Sequence, residues 1–312
     1  MDVCLAIIVP CYNEEAVLIE TNNRLLKLLA SMQKIGLISG NSAIYYVDDG
    51  SIDNTWQIIS TFHTQSLFVH GIKLSRNKGH QNALLAGIFN TTADIVISID
   101  ADLQDDINVI KEMIELYIKG NEIIYGVRSS REKDSFFKKY TAHFYYKTLK
   151  FMGVDLIYNH ADYRLLSRRV INCLQEYKEV NLFLRGIIPQ LGFRTATVFY
   201  ERGERFAGES KYPLKKMLAL AIEGITSFSV IPLRMITWLG FLVSLASLIM
   251  VAWILIGKFF IHSTIPGWAS SVLPIYFIGG IQLLSTGILG EYLAKVYMET
   301  KQRPKYFIEE LI

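Results

Sequence analysis

Two carboxylates two residues apart, Asp100 and Asp102, follow the apolar run Ile95–Ile99. Hard oxygen donors at the end of a buried strand suit Mg2+ or Mn2+, an ion that bridges to a diphosphate and neutralises charge on a leaving phosphate. An Asp-x-Asp taken alone is equally well a solvated acidic turn. Three more polar turns have chemical potential. Val9–Glu15 makes a tight turn that could hold a base or ribose edge, or could be a plain strand-to-helix turn with an Asn cap. In Val47–Thr55, Asp48 and Asp49 could accept hydrogen bonds from a base N–H or ribose hydroxyls, while Gly50 allows the turn. In Ser75–Ala83, Gly79 could start a helix whose N-terminus faces a phosphate.

These turns need elements to carry them to one place. Strand-like runs are predicted at Leu5–Val9, Ala43–Val47, Leu67–Leu74, Ile95–Ile99 and Glu122–Val127. Helical spacing is predicted at Glu15–Met32, Thr55–Phe62, Gly79–Phe89 and Asn108–Lys119. Alternation of this kind argues for a mostly parallel α/β sheet covered on both faces, with ligands bound at the carboxyl ends of the strands. The polar clusters at Tyr12–Glu14, Asp48–Ser51 and Asp100–Gln104 all fall at such ends.

Composition adds a second expectation. Hydrophobic residues are 51% and charged ones 20%, with a mean hydropathy of +0.27. That excludes a disordered, collagen-like or disulfide-stapled chain, and a net charge of +3 does not point to nucleic acid. Cys4, Cys11 and Cys173 show no metal-ligand spacing and read as reduced thiols. The N-terminus lacks the basic region of a signal peptide. The apolar excess is concentrated: between Arg234 and Glu291 the only formal charge is Lys258. Met235–Gly257 and about Val272–Gly290 are therefore expected to form a transmembrane hairpin, preceded by an amphipathic interfacial helix over Pro213–Ser229. Basic residues flank both spans, and the loop near Ile261–Ser271 has none, so both termini are expected to be cytoplasmic. The predicted layout is a catalytic domain over 1–211, interfacial helices over 212–234, spans at about 235–260 and 270–293 within 235–294, and a cytoplasmic tail over 295–312.

Taken in order, Pro10-x-Tyr12-Asn13-Glu14, Asp48-Asp49-Gly50-Ser51, Asn77-x-Gly79-x-x-x-Ala83 and Asp100-x-Asp102-x-Gln104 resemble the family-2 glycosyltransferases of GT-A (Rossmann-like) fold. Asp162-Tyr163-Arg164-Leu165 and Arg205-x-x-Gly208-x-Ser210-Lys211-Tyr212 are similar to segments of polyprenyl-phosphate hexosyltransferases. Glu223–Ser229 and Arg303-Pro304-Lys305-Tyr306 are similar to the bactoprenol glucosyltransferases of O-antigen modification. Ala161 stands where related enzymes often have Gly.

The resemblance implies that Pro10, Tyr12, Asn13, Glu14, Asp48, Asp49, Lys78, Asp100, Ala101 and Gln104 line the nucleotide sugar. It implies that Asp100 and Asp102 bind the metal–diphosphate, with Mg2+ or Mn2+ as cofactor, and that Asp162 sits beside the anomeric carbon as a base. Arg128, Arg205, Ser210 and Lys211 are then expected at the acceptor phosphate, the alternative for Arg205 and Lys211 being an anchor for anionic lipid. The implied reaction is inverting transfer of glucose from UDP-glucose to undecaprenyl phosphate at a bacterial inner membrane, by a homo-oligomer, a tetramer on the family pattern. A phosphate monoester has a second pKa near ~6 and needs little help from a base, so Asp162 could equally position a neighbour or tune the site's charge. Mannose, N-acetylglucosamine or an aminoarabinose derivative as the sugar, and a non-catalytic membrane adaptor, remain alternatives. A processive synthase would carry Gln-x-x-Arg-Trp, which is absent.

Overall fold

A computed structural model describes residues 3–129, 160–179, 184–201, 203, 231–256 and 268–312. The strands are β1 (Leu5–Cys11), β2 (Ala43–Asp48), β3 (Val69–Leu74), β4 (Ile95–Ser98), β5 (Ile123–Arg128), β6 (His160–Ser167), β7 (Thr195–Tyr200) and β8 (Ile308–Leu311). The helices are α1 (Leu18–Lys34), α2 (Thr55–Gln65), α3 (His80–Phe89), α4 (Val109–Ile118), α5 (Arg168–Gln175), α6 (Leu184–Gln190), α7 (Ile231–Ile256) and α8 (Trp268–Thr300). The strands form one sheet in the order β7-β5-β6-β4-β1-β2-β3-β8.

All seven residues of β1 are buried, as a strand covered on both faces requires. Ile7 and Val9 join the layer under α1, with Leu18, Leu25, Leu28, Leu29 and Met32. Ala6 and Ile8 join the opposite layer under α3. There Gly87 lets α3 lie flat on the sheet, because a Cβ at Gly87 would come within 2.3 Å of Ile8 Cγ2 and 2.9 Å of Val47 Cγ2.

The sheet is mixed. β1, β2, β3 and β4 run parallel to their neighbours among themselves, but β6 inserts antiparallel between β4 and β5. Its amino end, with Asp162, therefore reaches the edge where β1, β2 and β4 end. β5 and β7 pair in parallel, so Arg128 and Tyr200 arrive there too. β8 adds antiparallel to β3, which brings residues from the expected tail into the sheet. Gly71 and Ile312 exchange backbone hydrogen bonds of 2.9 and 3.0 Å, and Ser75 N–H donates to Phe307 C=O at 3.0 Å.

The region 235–294 corrects the expectation of a transmembrane hairpin. Among the described residues no helix is long and apolar enough to cross a membrane. The two-span inner-membrane location falls with it. In α8, Pro274, Gly279, Gly280, Gln282, Ser285, Thr286, Gly287 and Gly290 interrupt the apolar run. α7 has Arg234 in its first turns, then Thr237 and Gly240. Trp238, Phe241, Leu283 and Leu293 are exposed. The expected interfacial helix over Pro213–Ser229 lies outside the described residues.

Candidate active site

The turns after β1, β2 and β3 are hydrogen-bonded into one unit. Asn13 takes a left-handed conformation, φ 55°, which Asn tolerates better than most residues. Its N–H donates to Ser51 Oγ at 3.0 Å, and its Oδ1 accepts from Ile52 N–H at 2.9 Å. Glu14 N–H donates to Thr55 Oγ1 at 3.0 Å. Gly50, φ 68°, presses on the next turn, where a Cβ would lie 2.6 Å from Asn77 N. Asp49 completes the lock. Its Oδ1 accepts from Lys78 N–H at 2.7 Å and its Oδ2 from Gly79 N–H at 2.9 Å. Asp48 is fully buried, with Oδ1 accepting from Ser51 N–H at 3.2 Å. Burial pushes both carboxyls above their ordinary values. The sequence suggests Asp48 and Asp49 as acceptors for a nucleotide; in the structure Asp48 organises its own loop and Asp49 pins the neighbouring one. Tyr12 is exposed beside them, and Pro10 sits within β1 opposite Val47.

After β4 the chain turns through Asp100 and Asp102. Ala101 C=O accepts from Thr21 Oγ1 of α1 at 2.8 Å. Asp102 Oδ1 accepts from Gln104 N–H at 3.2 Å. Desolvation, together with the charges of Asp105, Asp162 and Asp102, pushes the Asp100 carboxyl up to about 6 against the pull of His80. A divalent cation relieves that kind of crowding, and two hard carboxylates suit Mg2+ or Mn2+. Among the described residues no group of three or more His, Cys, Asp or Glu could hold a metal. The remaining ligands of such an ion would come from a bound diphosphate and water, the usual pattern for Mg2+.

Asp162 lies on the neighbouring strand, its C=O accepting from Ser98 Oγ at 2.5 Å. Arg185, from α6, donates to both of its oxygens: Nε to Oδ1 at 3.2 Å and Nη2 to Oδ2 at 3.0 Å. Arg164 Nη2 donates to Oδ1 from the buried side. His80 Nε2 lies 3.7 Å from Asp162 Oδ2 and 3.7 Å from Asp100 Oδ1, so it bridges the two acidic positions. Burial alone would raise the Asp162 carboxyl, but Arg185 and Arg164 outweigh it and hold the group far below the ordinary carboxylate range. The carboxylate is a fixed anion with both oxygens engaged.

Arg128 forms a separate cluster. Its Nη2 lies 3.1 Å from Asp105 Oδ1 and its Nε donates to Tyr200 OH at 3.3 Å. Tyr200 OH donates to the same Asp105 oxygen at 2.5 Å. Beside the 103–108 loop lies a cavity of about 350 Å³, bordered by Arg24, Gln104, Asp106 and Glu201. Arg205, Ser210 and Lys211 lie outside the described residues.

The family model described as Glycosyl transferase family 2 matches residues 6–175, the span that contains Asp48, Asp49, Asp100, Asp102 and Asp162. The chain is a family 2 glycosyltransferase. It is 50% identical to the uncharacterized glycosyltransferase YkoT of Bacillus subtilis, over 98% of this chain and 91% of that protein. It is 37% identical to the prophage bactoprenol glucosyl transferase homolog of Escherichia coli, over 98% and 99%. Among solved structures, glucosyl-3-phosphoglycerate synthase from Mycobacterium tuberculosis, in complex with Mn2+, UDP and phosphoglyceric acid, is similar at a TM-score of 0.46 and 16% identity, over 72% of this chain and 76% of that one.

In this glycosyltransferase, His80, Arg164, Arg185, Asp105 and Tyr200 were not assigned a role from sequence. Arg164 had a signal: in a strand, residues two apart share a face, so it must accompany Asp162. Arg185 had none, because a short helix outside the family match delivers it.

Proposed function

We propose that the enzyme transfers a hexose from a nucleoside diphosphate sugar to a polyprenyl phosphate, with inversion at the anomeric carbon. The observation that carries the proposal is the meeting of Asp100 and Asp162 across His80, at the sheet edge where the three nucleotide-type turns are joined. The acceptor class is supported by relatives along nearly the full chain whose names describe bactoprenol glucosyl transfer, including one from Shigella phage SfX at 38% identity. Those names also favour glucose as the sugar, and we take UDP-glucose as its donor.

In the proposed reaction a phosphate oxygen of the acceptor attacks the anomeric carbon. The bond from that carbon to the nucleoside diphosphate breaks, and the diphosphate leaves with the electron pair. Asp100 and Asp102 would hold a divalent cation, Mg2+ or Mn2+, which supplies charge neutralisation at the leaving diphosphate. The turns around Tyr12, Asn13, Glu14, Asp49 and Lys78 receive the nucleotide. With a second pKa near ~6 the acceptor phosphate is already largely ionised at neutral pH. No proton acceptor is needed, and Asp162, held by two guanidiniums, is poorly suited to be one. We assign it a fixed negative charge that orients the site. The catalytic unit is proposed to span residues 1–211, with β8 completing its sheet.

The test is incubation of the purified protein with undecaprenyl phosphate and a panel of labelled nucleotide sugars, with Mn2+, Mg2+ or chelator. Label should move to the lipid from UDP-glucose, and only with divalent metal. Transfer to lipid from another sugar nucleotide alone would overturn the glucose assignment. Metal-dependent donor binding without transfer to lipid would overturn the acceptor assignment, and absence of donor binding would favour a non-catalytic adaptor.

A further inference from the structure

We infer that Arg185 is a positioning residue for the transfer reaction, acting through Asp162: its guanidinium fork fixes the direction and the charge of that carboxylate. The inference rests on the reading that Asp162 serves the reaction.

The geometry is specific. Arg185 meets both carboxylate oxygens, 3.2 Å from Nε to Oδ1 and 3.0 Å from Nη2 to Oδ2. Two parallel N–H bonds from a rigid planar group fix orientation as well as charge. Arg164 takes Oδ1 a second time from beneath. The carboxylate cannot rotate about its Cβ–Cγ bond without losing a charge-assisted bond.

The fork is itself held rigidly. Leu184, Ile187 and Ile188 of α6 are buried in the layer under α3. Leu184 N–H donates to Gln81 Oε1, in the first turn of α3, at 3.0 Å. The residue before Gln81 is His80, which faces both Asp162 and Asp100. One bolt therefore ties the origin of Arg185 to the origin of His80, and both side chains converge on Asp162. The two arginines have different standing in the fold. Arg164 is 1% exposed, so its loss would leave a buried anion and a cavity. The Arg185 side chain is 36% exposed, so it can be replaced without opening the core.

The test compares Arg185→Ala, Arg185→Lys, Asp162→Asn and the double variant Arg185→Ala/Asp162→Asn, reading kcat and donor KM in the lipid-transfer assay. Circular dichroism establishes that each variant is folded. Misplacing one group in a site of this kind costs about 10²-fold in rate, so Arg185→Ala should lose about that much kcat. Its donor KM should stay within about two-fold, since the nucleotide turns are untouched. Lysine supplies a point charge without the fork and should restore only part of the loss. The double variant should match Asp162→Asn alone, because groups acting through one another are not additive. Multiplying losses, or wild-type kcat in Arg185→Ala beside a crippled Asp162→Asn, would overturn the inference alone. Wild-type kcat in Asp162→Asn would overturn the reading of Asp162 and the inference with it. Should Arg185→Ala fail to fold, Arg185→Gln with and without Asp162→Asn gives the same comparison.

Discussion

Asp49→Asn isolates the join between the turns after β2 and β3. In the native protein the two carboxylate oxygens accept from Lys78 N–H at 2.7 Å and from Gly79 N–H at 2.9 Å, and the side chain is 3% exposed. Asparagine keeps one acceptor. If its oxygen retains the shorter bond, its NH2 group faces Gly79 N–H, donor against donor. One charge-assisted hydrogen bond is lost, worth about 1.5–3 kcal/mol, and the surviving one becomes neutral. A loss of about 2 kcal/mol, taken up by opening of the 75–79 turn, corresponds to about 30-fold in the opening equilibrium. Amide hydrogen exchange at Lys78 and Gly79 reads this directly, and their protection should fall by about that factor under conditions where exchange reports the opening equilibrium. UDP affinity, measured by calorimetry, should fall in parallel, because the turn is part of the receiving surface. Unchanged protection with weakened UDP binding would refute the loop-locking argument and make Asp49 a direct nucleotide contact only.

Other consequences follow from the same geometry. Gly87→Ala puts a Cβ within 2.3 Å of Ile8 Cγ2, and urea unfolding should register a loss of about 1–3 kcal/mol from overpacking. Truncation before Phe307 removes the strand paired with β3 and the Phe307 carbonyl that accepts from Ser75 N–H. Donor KM should rise and light scattering should show association through the bared edge; unchanged values of both would show that β8 is dispensable to the site. The Asp162 carboxyl is held far below its ordinary value, so its stabilisation is present at all pH values above the unfolded carboxyl's pKa and is lost only as pH falls below that value. The acid limb of the kcat/KM profile should therefore keep its position in Asp162→Asn, at lower height, reporting the acceptor phosphate instead; a displaced limb would assign it to Asp162.

Much of the framework is legible in the sequence because it obeys local rules. The run Leu5–Val9 has no polar residue and no gap, so it must be a covered strand, and it lies within β1. The spacing of Leu18, Leu25, Leu28 and Leu29 gives the buried stripe of α1. Asp100 and Asp102 are visible because they interrupt such a run at its end. What stays hidden depends on partners far away in the chain. β6 carries Asp162 and Arg164, charges that hide a strand until Arg185 and the antiparallel pairing with β4 account for them. β8 contains Glu309 and Glu310, and it is held by Lys73 at 2.8 Å and Trp56 Nε1 at 3.2 Å, neither of which is near in sequence. Asp49 stands out in the sequence as a candidate site residue, but its structural task does not, because backbone N–H groups leave no mark in the pattern of side chains. The expected membrane hairpin is a different case: low charge does not by itself make a span, and small and polar residues interrupt α8.

The account's central claim is the chemistry of transfer, and the product tests it most directly. Purified protein, UDP-glucose, undecaprenyl phosphate and Mn2+ are combined, and the lipid fraction is analysed by mass spectrometry and NMR of the anomeric centre. The account predicts undecaprenyl phosphate carrying one glucose in the β configuration, formed with inversion from the α-linked donor. Free glucose as the sole product, a glucosyl diphosphate lipid, or an α-linked product would contradict it.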